Sequence, residues 1–145
     1  MLSNACAYGL RAMMHLAQQP DNQFISIDTV AQDVQLPRAF LRKIMNTLVH
    51  AGIVESARGA GGGVRLTRKA SVIAVFEVVL AIDGDKRFTG CLLHLEKCSP
   101  DSPCPFHHEW AKQRSMIQDE LQHLSLQDVA ETMRKFYLDD VPFLS

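Results

Sequence analysis

Apolar residues recur at helical spacing between Leu2 and Ala17, at Leu10, Met13, Met14 and Ala17, and the pattern stops at Gln18-Gln19-Pro20-Asp21. Proline and turn-forming residues end a helix there, so a first helix of about four turns is predicted. In SIDTVAQDV, Ser26 is placed to cap a short second helix, Asp28 complements its dipole, and Ile27, Val30, Ala31 and Val34 share one face. Pro37 then opens a third helix at a first-turn position that tolerates proline. Its apolar stripe is Phe40, Leu41, Ile44, Met45, Leu48 and Val49, and Gly52 is the expected stop. IVESARGAGGGVRLTR reads as a strand over residues 53–56, a glycine-rich tip and a strand over 64–67, hence a hairpin. Residues 71–82 are apolar on nearly all sides, with Ser71 as the cap, and belong in a core. After Asp83-Gly84-Asp85 comes a loop rich in cysteine and proline, then a long helix over about 106–124. Trp110, Ile117, Leu121 and Leu124 lie along it near heptad spacing, and Arg114 interrupts the seam.

The third helix carries Arg38, Arg42, Lys43, Asn46 and His50 on its polar face. Two helices joined by a short turn, the second presenting Arg, Lys and Asn, have the layout of a helix-turn-helix, whose second helix enters the major groove. There Arg and Lys donate to guanine edges, Asn pairs with adenine, and other basic residues neutralise phosphates. An amphipathic surface helix has the same pattern, so the next segment decides. Arg58, Arg65 and Arg68 flank Gly59, Gly61, Gly62 and Gly63, whose amides can face phosphates. This looks like the wing of a winged helix. A nucleotide-binding loop is the rival, but the Walker Lys-Ser/Thr ending is missing and Val64 stands where GxGxxG needs its third glycine.

Length and charge narrow the function. At 145 residues and 47% hydrophobic, the chain can build one ordinary core. The net charge is −1, yet residues 1–70 carry eight bases against four acids and the remainder seven against twelve. One half can therefore face a polyanion. No run of about eighteen apolar residues occurs, and the amino terminus lacks a basic start and a small-residue cleavage site, so a cytoplasmic protein with no membrane contact is expected. No nucleophile elbow, HExxH or paired-carboxylate site is legible, and no enzymatic activity is expected.

Three of the four cysteines fall within CLLHLEKCSPDSPCPFHHEW, with six residues between Cys91 and Cys98 and five between Cys98 and Cys104. In a reducing compartment such thiols are metal ligands or redox sensors rather than a disulfide framework. Pro100, Pro103 and Pro105 forbid a regular helix here, and three thiols on a loop can converge on one centre. Zinc is one occupant, although structural zinc sites usually use C-x(2-4)-C knuckles, absent here. The spacing also differs from ferredoxin patterns.

LPRAFLRKIMNTLVHAGIVESARGAGGGVRLTR closely resembles the helix-turn-helix and wing of the Rrf-type family of bacterial transcription regulators, with its IscR and NsrR branch. The likeness begins at MLSNACAYGLRAMMHLA and runs through SVIAVFEVVLAIDG and the cysteines to LSLQDVAETM. It implies a mainly α fold: a winged helix-turn-helix with a small β-hairpin wing over residues 1–70, a core helix and connector over 71–90, a cluster-binding loop over 91–106, and a dimerisation helix and C-terminal helix over 107–145. It implies an iron-sulfur cluster on Cys91, Cys98 and Cys104, either [2Fe-2S] or [4Fe-4S]. In the family the first interval is commonly five; here it is six. His107 matches the place of the fourth ligand in the IscR type. The NsrR type takes a carboxylate from the partner's first helix near Ala7, which cannot ligate, so its neighbour Cys6 is the alternative, with water, His108 or a small ligand after it. The resemblance also implies a homodimer, built through Trp110, Ile117, Leu121 and Leu124, that reads a palindromic double-stranded operator. In it Arg38, Arg42 and Asn46 would meet base edges, and Lys43, Arg58, Gly59, Arg65 and Arg68 phosphates. A cluster-free repressor, thiol-switched or stabilised by zinc, and an electron carrier without use for the basic wing are the other readings.

Overall fold

The computed structural model describes residues 1–137, so the end of the last expected region, residues 138–145, lies outside the described residues. Ser3 caps α1 (Asn4–Ala17), its hydroxyl accepting the Cys6 N–H at 3.0 Å and satisfying one of the amides that a helix start leaves open. α1 begins later than its periodicity predicts because Ser3 is extended and donates both its N–H and its hydroxyl to Asp83.

α2 (Ile27–Asp33) and α3 (Arg38–His50) form the expected pair, with Ser26 accepting the Thr29 N–H at 3.1 Å. The turn between them is a Schellman motif: Gln35 takes φ +54° and the Leu36 N–H donates to Ala31 O at 2.9 Å. Pro37 is not in the first turn but just before it, since ψ 132° keeps it extended, and its carbonyl accepts the Leu41 N–H at 3.0 Å. Gly52 ends α3 with φ +77° in the same kind of turn, as expected.

β1 (Val54–Ala57) and β2 (Gly63–Leu66) pair antiparallel, one residue displaced from the predicted strands. Ile53 drops out because its N–H closes α3 on Leu48 O at 3.1 Å. Periodicity did not reveal the third partner: Ile25 exchanges two backbone hydrogen bonds with Val64, at 2.9 and 2.8 Å. That approach leaves no room for a side chain on Gly63, where a Cβ would overlap the Ile25 carbonyl.

Residues 71–82 do not form one helix, and Ser71 is not its cap. Ala70–Val72 make a 3₁₀ turn, Ile73 and Ala74 are extended, and α4 spans Val75–Asp83. The break follows from α6 (His107–His123) and α7 (Leu126–Tyr137), whose junction pairs with it. Leu126 N–H donates to Ile73 O at 2.9 Å and Val75 N–H to Leu124 O at 2.8 Å. Glu77 takes over the capping, accepting the Ala74 N–H at 2.9 Å. A short helix, α5 (Lys86–Thr89), leads to the cysteine loop.

Two apolar clusters share α1. One joins Ala12, Met13 and Leu16 to α2, α3 and the hairpin. The other joins Cys6 to Val75, Phe76, Val79 and Phe88. Ile117 and Leu121 pack against this second cluster of their own chain, Trp110 is half-buried, and Leu124 is the exposed residue that ends α6. Two members of the predicted intersubunit seam are thus engaged within the chain, because α4 and α5 leave an apolar face for α6 to cover. Among the described residues no helix is long and apolar enough to cross a membrane.

His15 is the buried polar side chain of the first cluster's side of α1. Its Nδ1 lies 3.3 Å from Gln19 Nε2, and Asp33 stands 3.0 Å from Nε2, off the direction of a good hydrogen bond. Burial holds this imidazole below the ordinary histidine value, and the Asp33 charge opposes that only in part. The unfolded chain therefore takes up a proton, at about pH 6.5 and below, that the folded chain resists. Stability should be full above pH 7 and fall as the pH drops below about 6.5, less steeply in His15→Gln, in thermal melts at both pH values. Gly63→Ala should cost at least about 1–3 kcal/mol, read by urea unfolding, because it adds a strained φ of +142° to a backbone overlap.

Candidate functional site

Burial of Leu41, Ile44, Met45 and Leu48 turns Arg38, Arg42, Lys43 and Asn46 outward on α3. Arg38 Nε lies 2.9 Å from Asp28, an exposed pair of about 0–1 kcal/mol that another anion can displace. Arg58 and Gly59, the latter with φ +87°, are exposed at the hairpin tip. Arg65 and Arg68, expected at phosphates, each also make contacts within the chain. Arg65 Nε is 2.5 Å from Glu55 across the hairpin, Nη1 donates to Asn22 O at 2.8 Å, and the guanidinium covers the Phe24 ring at 4.2 Å. Arg68 Nη2 is 2.5 Å from Glu77, and Nη1 donates to Val72 O at 3.2 Å. A signal for the first pair was legible: Glu55 and Arg65 stand equally far from Ala60, so a closed hairpin sets them opposite each other.

The cysteine loop folds as a succession of tight turns. His94 N–H donates to Cys91 O at 3.1 Å, Cys98 N–H to Leu95 O at 3.2 Å, and His107 N–H to Cys104 O at 3.0 Å. Ser99 and Ser102 exchange backbone hydrogen bonds at 3.2 and 3.1 Å around Pro100-Asp101. These turns bring the sulfurs of Cys91, Cys98 and Cys104 within 4.8 Å of one another. Cys91 Sγ and Cys104 Sγ are 3.6 Å apart, and His107 Nδ1 is 3.2 Å from Cys98 Sγ. His108 is exposed and meets the His107 ring edge-on at 5.2 Å.

These donors fit a thiophilic metal. A tetrahedral ion with bonds of about 2.3 Å to sulfur and about 2.0 Å to nitrogen sets two sulfurs about 3.8 Å apart, and sulfur and nitrogen about 3.5 Å apart. The loop offers two such pairs, Cys91 with Cys104 and Cys98 with His107. Backbone N–H groups of Leu95 and then Leu93, together with the neighbouring thiols, bring the Cys91 pKa down to about 7, so this sulfur is substantially thiolate at neutral pH. Cys104 is raised, first by burial and then by the two neighbouring sulfurs, and keeps its proton. Leu92, Leu93, Leu95 and Phe106, from the same segment of chain, are exposed.

Cys6 does not reach this centre. It is fully buried between α1 and α4, and burial, then the charge of Asp83, pushes its thiol up to about 12. Ligation of a partner's centre would require unpacking that cluster, whereas His107 stands beside Cys98.

A helix-turn-helix with a paired hairpin, followed by a cysteine triad and a long helix, is the arrangement against which known proteins can be compared. Residues 2–132 match the Rrf2 family, described as an iron-dependent transcriptional regulator. The chain belongs to the Rrf2 family. An HTH-type transcriptional regulator of Aquifex aeolicus is 30% identical over 137 residues, 93% of this chain and 94% of that one. CymR, the global cysteine regulator of B. subtilis, superposes with a TM-score of 0.76 at 26% identity, covering 91% of this chain and 97% of that one. T. potens IscR has a TM-score of 0.75 at 24% identity, covering 97% and 93%, a likeness of fold. The fold is the expected winged helix, and the Rrf2 proteins it matches are DNA-binding transcription regulators, not enzymes.

Iodoacetamide labelling of the reduced, metal-free Rrf2 chain followed by mass spectrometry should modify Cys91 first. Its rate should rise most steeply through pH about 7, with Cys6 unmodified until denaturant is added.

Proposed function

We propose that this regulator is of the IscR/NsrR type: a homodimer that reads a palindromic operator and senses redox state, nitric oxide or iron status through an iron-sulfur cluster on Cys91, Cys98, Cys104 and His107. The observation that supports this most is the convergence of three thiols with the His107 imidazole at their edge. Cys91, Cys98, Cys104 and His107 would hold the cluster, and [2Fe-2S] is the form we favour over [4Fe-4S]. Bound there, the cluster would supply a centre that exchanges electrons and reacts with oxidants or nitric oxide. The protein's own part is to hold four donors on one loop and on the first turn of α6, so that order in the loop and the placement of α6 are linked.

In this reading α6 also joins two subunits. With Ile117 and Leu121 turned inward, the contact with a twin falls to the outer face, where Met116 is 55% exposed, and to Leu124 at its end. The two copies of α3 then stand one helical turn of DNA apart. Arg38, Arg42 and Asn46 meet base edges, and Lys43, Arg58 and Gly59 meet phosphates. A differential affinity of a few kcal/mol between ordered and released loop is enough for a switch.

A second reading rests on the 3.6 Å between Cys91 and Cys104, a spacing from which a disulfide can form with little movement: a cluster-free regulator switched by thiol oxidation, or one held by zinc. Anaerobic purification with an absorption spectrum and iron and sulfide counts separates the two. Visible absorption with near-stoichiometric sulfide, bleached by His107→Ala and retained in Cys6→Ala, is expected. A colourless, iron-free protein overturns the cluster reading and leaves the thiol or zinc form. For the DNA face, fluorescence anisotropy on a duplex across a salt series should show Lys43→Ala lowering the log–log slope by about one, while Arg68→Ala leaves it unchanged and lowers the melting temperature instead.

A further inference from the structure

Arg114 breaks the apolar seam of α6, and the structure gives it an occupation. Its Nη1 donates to the carbonyl of Gly90, and the indole Nε1 of Trp110, one turn earlier, donates to the same oxygen at 3.2 Å. Both lone pairs of that carbonyl are therefore engaged by side chains from a single helix. Gly90 is fixed on its other side as well. Its N–H donates to Lys86 O at 2.7 Å, and a Cβ at this position would stand 2.6 Å from that same oxygen. Meanwhile Arg114 Nε is buried with no hydrogen-bond partner among the described residues. A buried, unsatisfied guanidinium nitrogen lowers stability, and an apolar residue here would have continued the seam beside Ile117 and Leu121. Stability alone does not account for an arginine at this place.

The residue after Gly90 is Cys91. The same helix starts at His107, whose Nδ1 lies against Cys98. One rigid element thus carries a candidate ligand at its first turn and, one and two turns on, the two groups that hold the root of the loop. We propose that Arg114 and Trp110 are positioning residues for the cysteine centre, gripping Gly90 so that Cys91 is held against Cys104 and a change at the thiols is transmitted to α6. The metal side of this inference rests on the reading of the triad as a metal centre. Holding Cys91 near Cys104 does not, and the test separates them.

Metal-free, reduced protein is equilibrated with mixtures of reduced and oxidised glutathione, and the Cys91–Cys104 disulfide is counted by alkylation and mass spectrometry. In this exchange the two thiols give two electrons and two protons to oxidised glutathione, yielding one disulfide and two reduced glutathiones. The same proteins are titrated anaerobically with cobalt(II), read by its thiolate charge-transfer absorption. In the double variant Trp110→Phe, Arg114→Met, the disulfide equilibrium constant should fall about tenfold and cobalt(II) affinity by about tenfold or more, the range seen when outer-shell partners of metal ligands are removed. Arg114→Lys, which can still reach the carbonyl, should recover most of both. An unchanged disulfide equilibrium in the double variant overturns the positioning role, as does a loss that follows the melting temperature alike in Arg114→Lys and Arg114→Met. If wild-type protein takes up no cobalt(II) while the disulfide equilibrium still shifts, the positioning role stands and the metal reading fails.

Discussion

At Gly9 three helices meet, and the rest of the molecule depends on how closely they do so. A Cβ there would press on the end of the Ile82 side chain of α4 and stand 3.2 Å from Ile44 of α3, so glycine lets α1 lie close to both without moving either side chain. α1 is the wall shared by the two apolar clusters, with Met13 and Leu16 on one side and Cys6 on the other. The face of α3 opposite this contact is the one that remains for solvent, and α4, from its position behind α1, carries the surface on which α6 rests. Close packing allows such a crossing few alternatives.

Charge is divided along the same lines. The basic residues of the first half fall into two groups that composition could not separate. Arg42, Lys43 and Arg58 are exposed, while the half-buried Arg65 meets Glu55 across the hairpin and the Phe24 ring, and Arg68, though exposed, pairs with Glu77. The Glu77 carboxylate serves twice, meeting Arg68 with one oxygen and the Ala74 N–H with the other. The segment that follows the hairpin is therefore joined to the start of α4 by an ion pair whose carboxylate also caps that helix.

The cysteine loop reaches its geometry by turn chemistry rather than by a hydrophobic core. Prolines exclude helix, serines 99 and 102 close a hairpin, and the three sulfurs come together with little apolar burial beneath them. A segment of that kind has low local stability, and its attachments at Gly90 and His107 both lead to α6.

The elements whose residues act locally were legible in the chain. Ser26 as a cap, Gly52 as a stop, the helical stripe of α3 and the glycine tip of the hairpin each rest on backbone preferences within a few residues, and the structure agrees with them. The three cysteines were legible as a group because proline kept the loop short and irregular. Apart from Pro37, whose own ψ sets it outside the helix, what misled was a partner outside the element. Residues 71–82 look like one helix until the α6–α7 junction pairs with Ile73 and Ala74, and the strands shift by one because α3 takes the Ile53 N–H. Ile117 and Leu121 read equally well as a seam for a twin or for the chain's own core, since periodicity states that a face is apolar and not what covers it. Composition and spacing by themselves pointed to the two helices, the hairpin and a loop of three thiols, because those follow from torsional preference and local hydrogen bonding. Which arginines are exposed, that Cys6 is sealed away and that Arg114 reaches Gly90 were decided only in the tertiary structure, because burial and hydrogen-bond partnership are properties of residues far apart in the chain.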